Sequence, residues 1–247
     1  MTHFPLSPHT LVTWLQQQPA EVLTLILLVS CGLIILLMMR LYGSLGLMVY
    51  SSLAVVVANL QVQKATTYQF FQEPVALGTV VFSSIFLVSS ILTEYYGKAQ
   101  ARKAVWISFT GMIVVSFLML VTIGFKPAGG FYEPHNAMCV LFFPVPALIV
   151  ASLIAYAAGQ FNDIWIFAAL SRLTAGRFLW FRSFIATLIG AFIDNLIFST
   201  LAWMVFAPNP LPWKTVLFTY VLGTYILRVF IAFVSIPFVY LARLMVR

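Results

Sequence analysis

The sequence predicts an all-α polytopic membrane protein with about seven transmembrane helices. Of 247 residues, 62% are hydrophobic and 8% are charged, where an ordinary soluble domain carries roughly 25% charged residues. Apolar runs of about 20 residues recur from end to end, and each is long enough to cross a roughly 30 Å hydrocarbon core as a helix. The net charge of +7 sits mostly in the short links between those runs. Basic residues so placed act as topology signals, which argues against nucleic acid as the partner. No soluble domain of useful length remains, so residues 20–247 read as one transmembrane domain behind a polar N-terminal segment, 1–19.

That segment holds His3, His9, Pro5, Pro8 and Pro19 but no Lys or Arg. Without a basic n-region it does not read as a cleaved leader, so the first apolar run is a retained span. The predicted spans cover about 21–39, 43–62, 76–96, 105–123, 144–170, 183–206 and 214–241. Arg40 closes the first, and the second ends in the polar cluster Asn59, Gln61, Gln63 and Lys64. Gly97-Lys98 and Arg102-Lys103 separate the third from the fourth. Pro127, Gly129-Gly130 and Pro134 mark Lys126–Cys139 as a loop. Pro144 and Pro146 open the fifth span, Arg172, Arg177 and Arg182 follow it, and Pro208-Asn209-Pro210 ends the sixth.

Alternate links carry Arg40; Lys98, Arg102 and Lys103; Arg172, Arg177 and Arg182; and Arg243 and Arg247, whereas the opposite links hold only Lys64, Lys126 and Lys214. This bias alternates with seven spans and predicts the N-terminus outside and the C-terminus in the cytoplasm. Trp106 and Trp180 fall near the inner boundary, and Trp14 and Trp213 near the outer one, where amphipathic rings anchor. Cys31 and Cys139 have no metal or redox spacing. The sequence contains no phosphate-binding loop, HExxH or GxSxG, so no catalytic residue, cofactor or metal ligand is expected.

The remaining chemistry lies in polar groups inside spans, which are expensive in lipid and usually face a cavity or a partner. Gly159-Gln160-Phe161-Asn162-Asp163 places two amides and a carboxylate inside the fifth span, in a chain with six acidic residues. Thr79, Ser83, Ser90 and Glu94 share one face of the third span, and Ser52, Asn59 and Gln63 one face of the second. Thr187, Gly190, Ala191 and Asp194 form a small-and-polar stripe on the sixth. Arg228 lies at about the depth of Asp194, so each can offset the other's burial. The alternatives are structural. Glu94 with Lys98 can form an i,i+4 surface pair, Asp194 with Arg228 a packing bridge, and Arg172 can reach Asp163. Ala151, Ala155 and Gly159 recur every four residues, which suits close helix packing within the chain or across a homodimer.

Asn59-Leu60-Gln61-Val62, Leu92-Thr93-Glu94-Tyr95-Tyr96-Gly97 and Ala101-Arg102-Lys103-Ala104-Val105-Trp106 resemble motifs of the vitamin uptake transporter family, specifically its queuosine precursor transporters. So do Ala151-Ser152-Leu153, Ala155-Tyr156, Gly159-Gln160-Phe161 with Asp163, Gly176-Arg177-Phe178-Leu179-Trp180, Thr187-Leu188, Ile193-Asp194, Phe198, Arg228 and Pro237. The resemblance covers roughly residues 54–242. It implies a multi-pass protein of the bacterial inner membrane that imports 7-deazaguanine bases such as preQ0, preQ1 or queuine by alternating access. A binding subunit served by a separate ATP-driven motor is the alternative.

The expected substrate contacts are Asp163 first and Asp194 second, with Gln160, Asn59, Glu94, Arg228, Thr187, Phe161 and Phe198. A carboxylate accepts from the ring N–H and exocyclic amine of a guanine-like edge, amides read the carbonyl and ring nitrogens, and aromatic rings, Phe192 among the candidates, stack on the base. The chain departs from the family pattern at Ser89-Ser90, where Thr-Asp is usual, at Ala191 for Gln, at Ser235 for an acid, and at Arg228 for Lys. An arginine there is a fixed counter-charge rather than a proton carrier.

Overall fold

The computed structural model describes residues 8–69, 75–142, 146–207 and 209–245. Expectations placed on His3, Pro5, Pro144, Pro208 and Arg247 lie outside the described residues. Among the described residues, six helices are long and apolar enough to cross a membrane. The protein is therefore all-α and polytopic. A short helix, α1 (Pro8–Gln16), precedes α2 (Ala20–Gln61), α3 (Gly78–Tyr95) and α4 (Lys98–Ile123). Then come α5 (Tyr132–Phe142), α6 (Pro146–Leu173) and α7 (Leu179–Thr200), the last continuing as a π-helical turn, Leu201–Val205. A three-residue α8 (Trp213–Thr215) leads through a π-helical stretch, Val216–Gly223, into α9 (Thr224–Ala242).

The first two expected spans are the two halves of α2. Its 42 residues run through Gly43, whose φ of 60° and ψ of −137° are not helical. That backbone conformation suits glycine, which has no Cβ to clash. The halves then fold back on each other. Cys31 of the first and Tyr50 of the second are buried in one packed cluster and lie close enough to influence each other, although 19 residues of straight helix would hold them roughly 28 Å apart. A Cβ on Gly46 would run into the carbonyl of Met38, so the turn closes at backbone contact.

Contacts between helix ends sort the links into two faces. On one, Gly43 lies near the Tyr96 hydroxyl, the Tyr95 hydroxyl donates to the Val239 carbonyl at 2.9 Å, and the Trp180 N–H donates to the Tyr240 hydroxyl at 3.2 Å. On the other, the Gln69 N–H donates to Glu21 Oε1 at 2.7 Å and Gln63 Nε2 to the Leu141 carbonyl at 2.5 Å. The first face carries Arg40, Arg102, Lys103, Arg172, Arg177 and Arg243, all exposed. Trp14, Trp106, Trp180 and Trp213 are exposed as well.

Two links differ from expectation. The loop expected over Lys126–Cys139 is helical from Tyr132 onward. Pro134 stands in the first turn of α5, where its missing N–H would have no intrahelical partner anyway. The link after α2 contains a small antiparallel pair, Ala65–Thr66 against Val75–Ala76, in the register Ala65 opposite Ala76. At the centre stands α3, with every residue from Gly78 to Thr93 buried. It packs on α2, α4, α6, α7 and α9. Its side chains on all sides therefore meet protein, which lets a span with so many hydroxyls avoid lipid.

Candidate functional site

The site is built where α6 and α7 cross. A Cβ on Gly159 would stand 2.7 Å from the Asp194 Cβ, and one on Gly190 would stand 2.9 Å from the Asp163 Cβ. Each helix thus carries Gly-x-x-x-Asp, and each glycine receives the other helix's aspartate. The i,i+4 spacing puts glycine and aspartate on one face, so backbone approach and carboxylate burial come from a single contact. Ala151, Ala155 and Gly159 are buried by this packing and their neighbours. The small-residue stripe is therefore used for helix packing within the chain.

Asp194 is 2% exposed and accepts from Arg228 Nη1 at 2.5 Å. The matched depth read from the sequence is thus a direct ion pair between α7 and α9. The Arg228 guanidinium also lies over the Phe82 ring, 5.6 Å from its centroid, a favourable position for a cation against a π face. Its Nε is buried and has no hydrogen-bond partner among the described residues.

This pair lines a cavity of about 350 Å³. From Asp194 and Arg228, each midway along its apolar helix, the lining runs past Asn59, Ser152 and Phe198 to Trp203 and Tyr220, and on to Gln63, Ala65 and Ala76 at the helix ends. The Trp203 and Tyr220 rings sit 4.9 Å apart, tilted by 34°. Asn59 Oδ1 accepts from Ser152 at 3.0 Å, while its Nδ2 donates to the Val55 carbonyl at 2.9 Å. Asn195 holds the opposite wall. Its Nδ2 lies 2.7 Å from the Val221 carbonyl and 2.8 Å from Thr224 Oγ1. Carbonyls in a π-helical stretch lose their usual i+4 partner, and this amide supplies a donor there.

The other expected contacts lie outside the cavity lining. Asp163 is fully buried and accepts from Ser89 at 2.6 Å and from Thr187 at 3.5 Å, so hydroxyls rather than Arg172 meet it. Gln160 is 1% exposed, and its Nε2 has no partner among the described residues. Phe161 packs against Trp106 at 5.6 Å, and Phe192 against Tyr225 at 5.4 Å.

Glu94 pairs across 88 residues with Arg182 rather than with Lys98. Nη1 and Nη2 of Arg182 reach its two oxygens at 2.7 and 2.9 Å. Arg182 also donates to Ser171 Oγ at 2.8 Å and to the carbonyls of Gly176 and Arg177 at 3.0 and 3.1 Å, which uses all five guanidinium N–H groups. Counted among the basic topology signals, it is instead fully buried and neutralised. At the departure positions, Ser89 has become the Asp163 donor, and Ser235 bonds back to the Ile231 carbonyl at 2.7 Å.

Asn195, Trp203, Tyr220 and Ser152 were not singled out as site residues. Only the repeated Gly-x-x-x-Asp carried a signal for the local geometry. Among the described residues, no three His, Cys, Asp or Glu side chains gather where they could hold a metal ion. The cavity can do what a buried ion pair under an aromatic lining permits, which is to bind a flat polar molecule out of water.

A family model described as "Putative vitamin uptake transporter" matches residues 76–242, which takes in α3 through α9. A Bacillus subtilis (strain 168) protein named "Probable queuosine precursor transporter" is 32% identical over 191 residues, 77% of this chain and 82% of that protein. A protein of the same name from Haemophilus influenzae (strain ATCC 51907 / DSM 11121 / KW20 / Rd) is 25% identical over 126 residues, 51% of each chain. No solved structure matches the chain. The matched stretch holds both Gly-x-x-x-Asp motifs, the Glu94–Arg182 pair and Arg228. The chain belongs to the vitamin uptake transporter family and is a multi-pass membrane transporter rather than an enzyme.

Proposed function

We propose that the chain imports a queuosine precursor, a 7-deazaguanine base such as preQ0, preQ1 or queuine, across the bacterial inner membrane by alternating access. The carrying observation is the Asp194–Arg228 pair on the wall of the 350 Å³ cavity. Arg228 Nη1 occupies one side of the carboxylate. A carboxylate offers about four acceptor positions, so Asp194 can still take the ring N–H and exocyclic amine of a guanine-like edge. The unpartnered Nε–H of Arg228 suits the base carbonyl. Asn59 adds a second amide, and Phe198 with the Trp203–Tyr220 pair supplies faces on which a planar ring stacks. An analogue lacking these polar groups leaves the ion pair unsatisfied in a dry site, which is how few contacts give specificity.

The membrane arrangement follows from the charges. With α2 counted as two crossings at Gly43, seven spans put the N-terminus outside and the basic face in the cytoplasm. The cavity then faces outward, as suits a protein waiting for substrate. The names of the two relatives support the substrate class. Uptake of labelled preQ1 into liposomes containing only this protein tests the reading. Accumulation above empty liposomes is expected. Binding without uptake, with uptake appearing only beside an ATP-driven motor, replaces the carrier with a binding subunit, and absence of both removes the substrate assignment.

A further inference from the structure

Asp163 and Arg182 are buried charges and Glu94 is half-buried; none lines the cavity, and together with Ser89, Ser90, Ser183 and Thr187 they form one seam. Three polar contacts cross from α3 to the α6–α7 pair. Ser89 meets Asp163 at 2.6 Å, Ser183 meets Ser90 at 3.0 Å, and Arg182 meets Glu94 at 2.7 and 2.9 Å. They follow one another along the basic half of α3, between the level of the cavity floor and the basic face. Ser83, Thr93 and Gln160 border the same region, and each keeps a buried polar atom without a partner among the described residues. A contact meant only for packing in lipid would be cheaper in apolar side chains, because polar groups within a membrane are costly wherever they are not fully paired. Hydroxyls and carboxylates in one line make sense where water and a polar solute alternately replace the bonds they make with each other.

The bonding of Arg182 says which part moves. Three of its five donors stay within its own unit, on Ser171, Gly176 and Arg177. Only the two to Glu94 cross the seam. The α6–α7 pair is fastened internally by the reciprocal glycine contacts, so it can separate from α3 as one body and keep Arg182 largely satisfied.

We infer that the seam between α3 and α6–α7 is the closed inner half of the substrate path, with Glu94–Arg182 as its gate at the basic face and Asp163 as the polar station between gate and cavity. This rests on the proposed importer reading for its substrate. On opening, Asp163 exchanges Ser89 for the amine edge of the base and keeps Thr187 within its own unit, while Gln160 and Ser83 gain partners in water or solute. The path thereby uses residues that are buried without cavity contact in this state.

Two cysteine experiments test it. With Cys31→Ala and Cys139→Ser as background, Ser90→Cys with Ser183→Cys places two thiols where the hydroxyls are 3.0 Å apart, within reach of a disulfide. The oxidised protein is expected to bind labelled preQ1 within threefold of the reduced form but to transport at least tenfold more slowly, with recovery on reduction. Equal transport in both forms overturns the inference. If neither form binds preQ1, the substrate assignment fails, and a ligand-free measurement decides the seam. Single Ser90→Cys is labelled with a membrane-impermeant maleimide from each side of vesicles, with and without Glu94→Gln. Labelling from the basic face at least fivefold faster in the Glu94→Gln protein is expected. An unchanged rate, or labelling only from the opposite face, overturns the inference. If Glu94→Gln does not reach the membrane, Glu94→Asp, too short for both contacts, is used with the same expectations.

Discussion

Gly159 of α6 lies directly against Asp194 of α7, so that a single added carbon would sit 2.7 Å from the aspartate Cβ and 3.0 Å from the Gly190 carbonyl. The same contact fixes how closely the helices approach and where the Asp194 carboxylate points. Gly159→Ala must push the helices apart, at a cost of about 1–3 kcal/mol for an overpacked core. Gly190→Ala, 2.9 Å from the Asp163 Cβ, should behave alike. Gly111→Ala is the control, since its nearest neighbour, Ser52, is 3.8 Å away. Thermal unfolding in detergent should show a clear drop for the first two and little change for the third.

The Asp194–Arg228 pair should be costly to halve and cheaper to remove. Taking away one partner leaves the other charge buried and unpaired, worth about 3–5 kcal/mol. Asp194→Leu and Arg228→Met should each lower thermal stability strongly, and the double variant should regain most of it. Binding of preQ1 should stay lost in all three. A double variant that binds normally would make the pair a structural bridge alone.

Arg182 spends a planar fork on Glu94 and its remaining donors on one turn. That turn includes Ala175 and Phe178 at positive φ, 48° and 55°, conformations that favour glycine. Lysine carries the charge but cannot reproduce the fork. Arg182→Lys should therefore reduce the folded yield in membranes nearly as much as Arg182→Ala, and a Lys variant as stable as the parent would contradict the role given to the geometry.

Asn195→Leu removes the amide that meets the Val221 carbonyl and Thr224. Leaving such buried groups unmet costs about 1–3 kcal/mol. Because the same stretch leads into Arg228, preQ1 affinity should fall in Asn195→Leu and also in Asn195→Asp, whose carboxylate keeps the size but cannot donate. Parent-like affinity in both variants would show that the donated bonds do not position Arg228.

Much of this was legible in the residues. Apolar runs mark the spans because lipid punishes any other composition, and the depth of Asp194 and Arg228 predicted their pairing. The alternative partner offered for Glu94 was Lys98, a ready local one four residues on, whereas Arg182 is brought close only by the fold. The helix α5 hid behind Pro134, a residue that breaks helices except in their first turn. The cavity wall gave least warning. Trp203 and Tyr220 are ordinary aromatic residues of apolar runs until a π-helical register turns them toward each other, and hydropathy does not record register. Asp163 stood out for its burial, which the structure places beside the cavity rather than on its lining.

The most direct measurement is equilibrium binding of labelled preQ1 to purified protein, comparing the parent with Asn59→Ala and Asp194→Asn. If the cavity is the base site, both variants remain folded by thermal unfolding and bind at least tenfold more weakly, Asp194→Asn the more so. Parent-like affinity in both folded variants would contradict the cavity as the site of recognition.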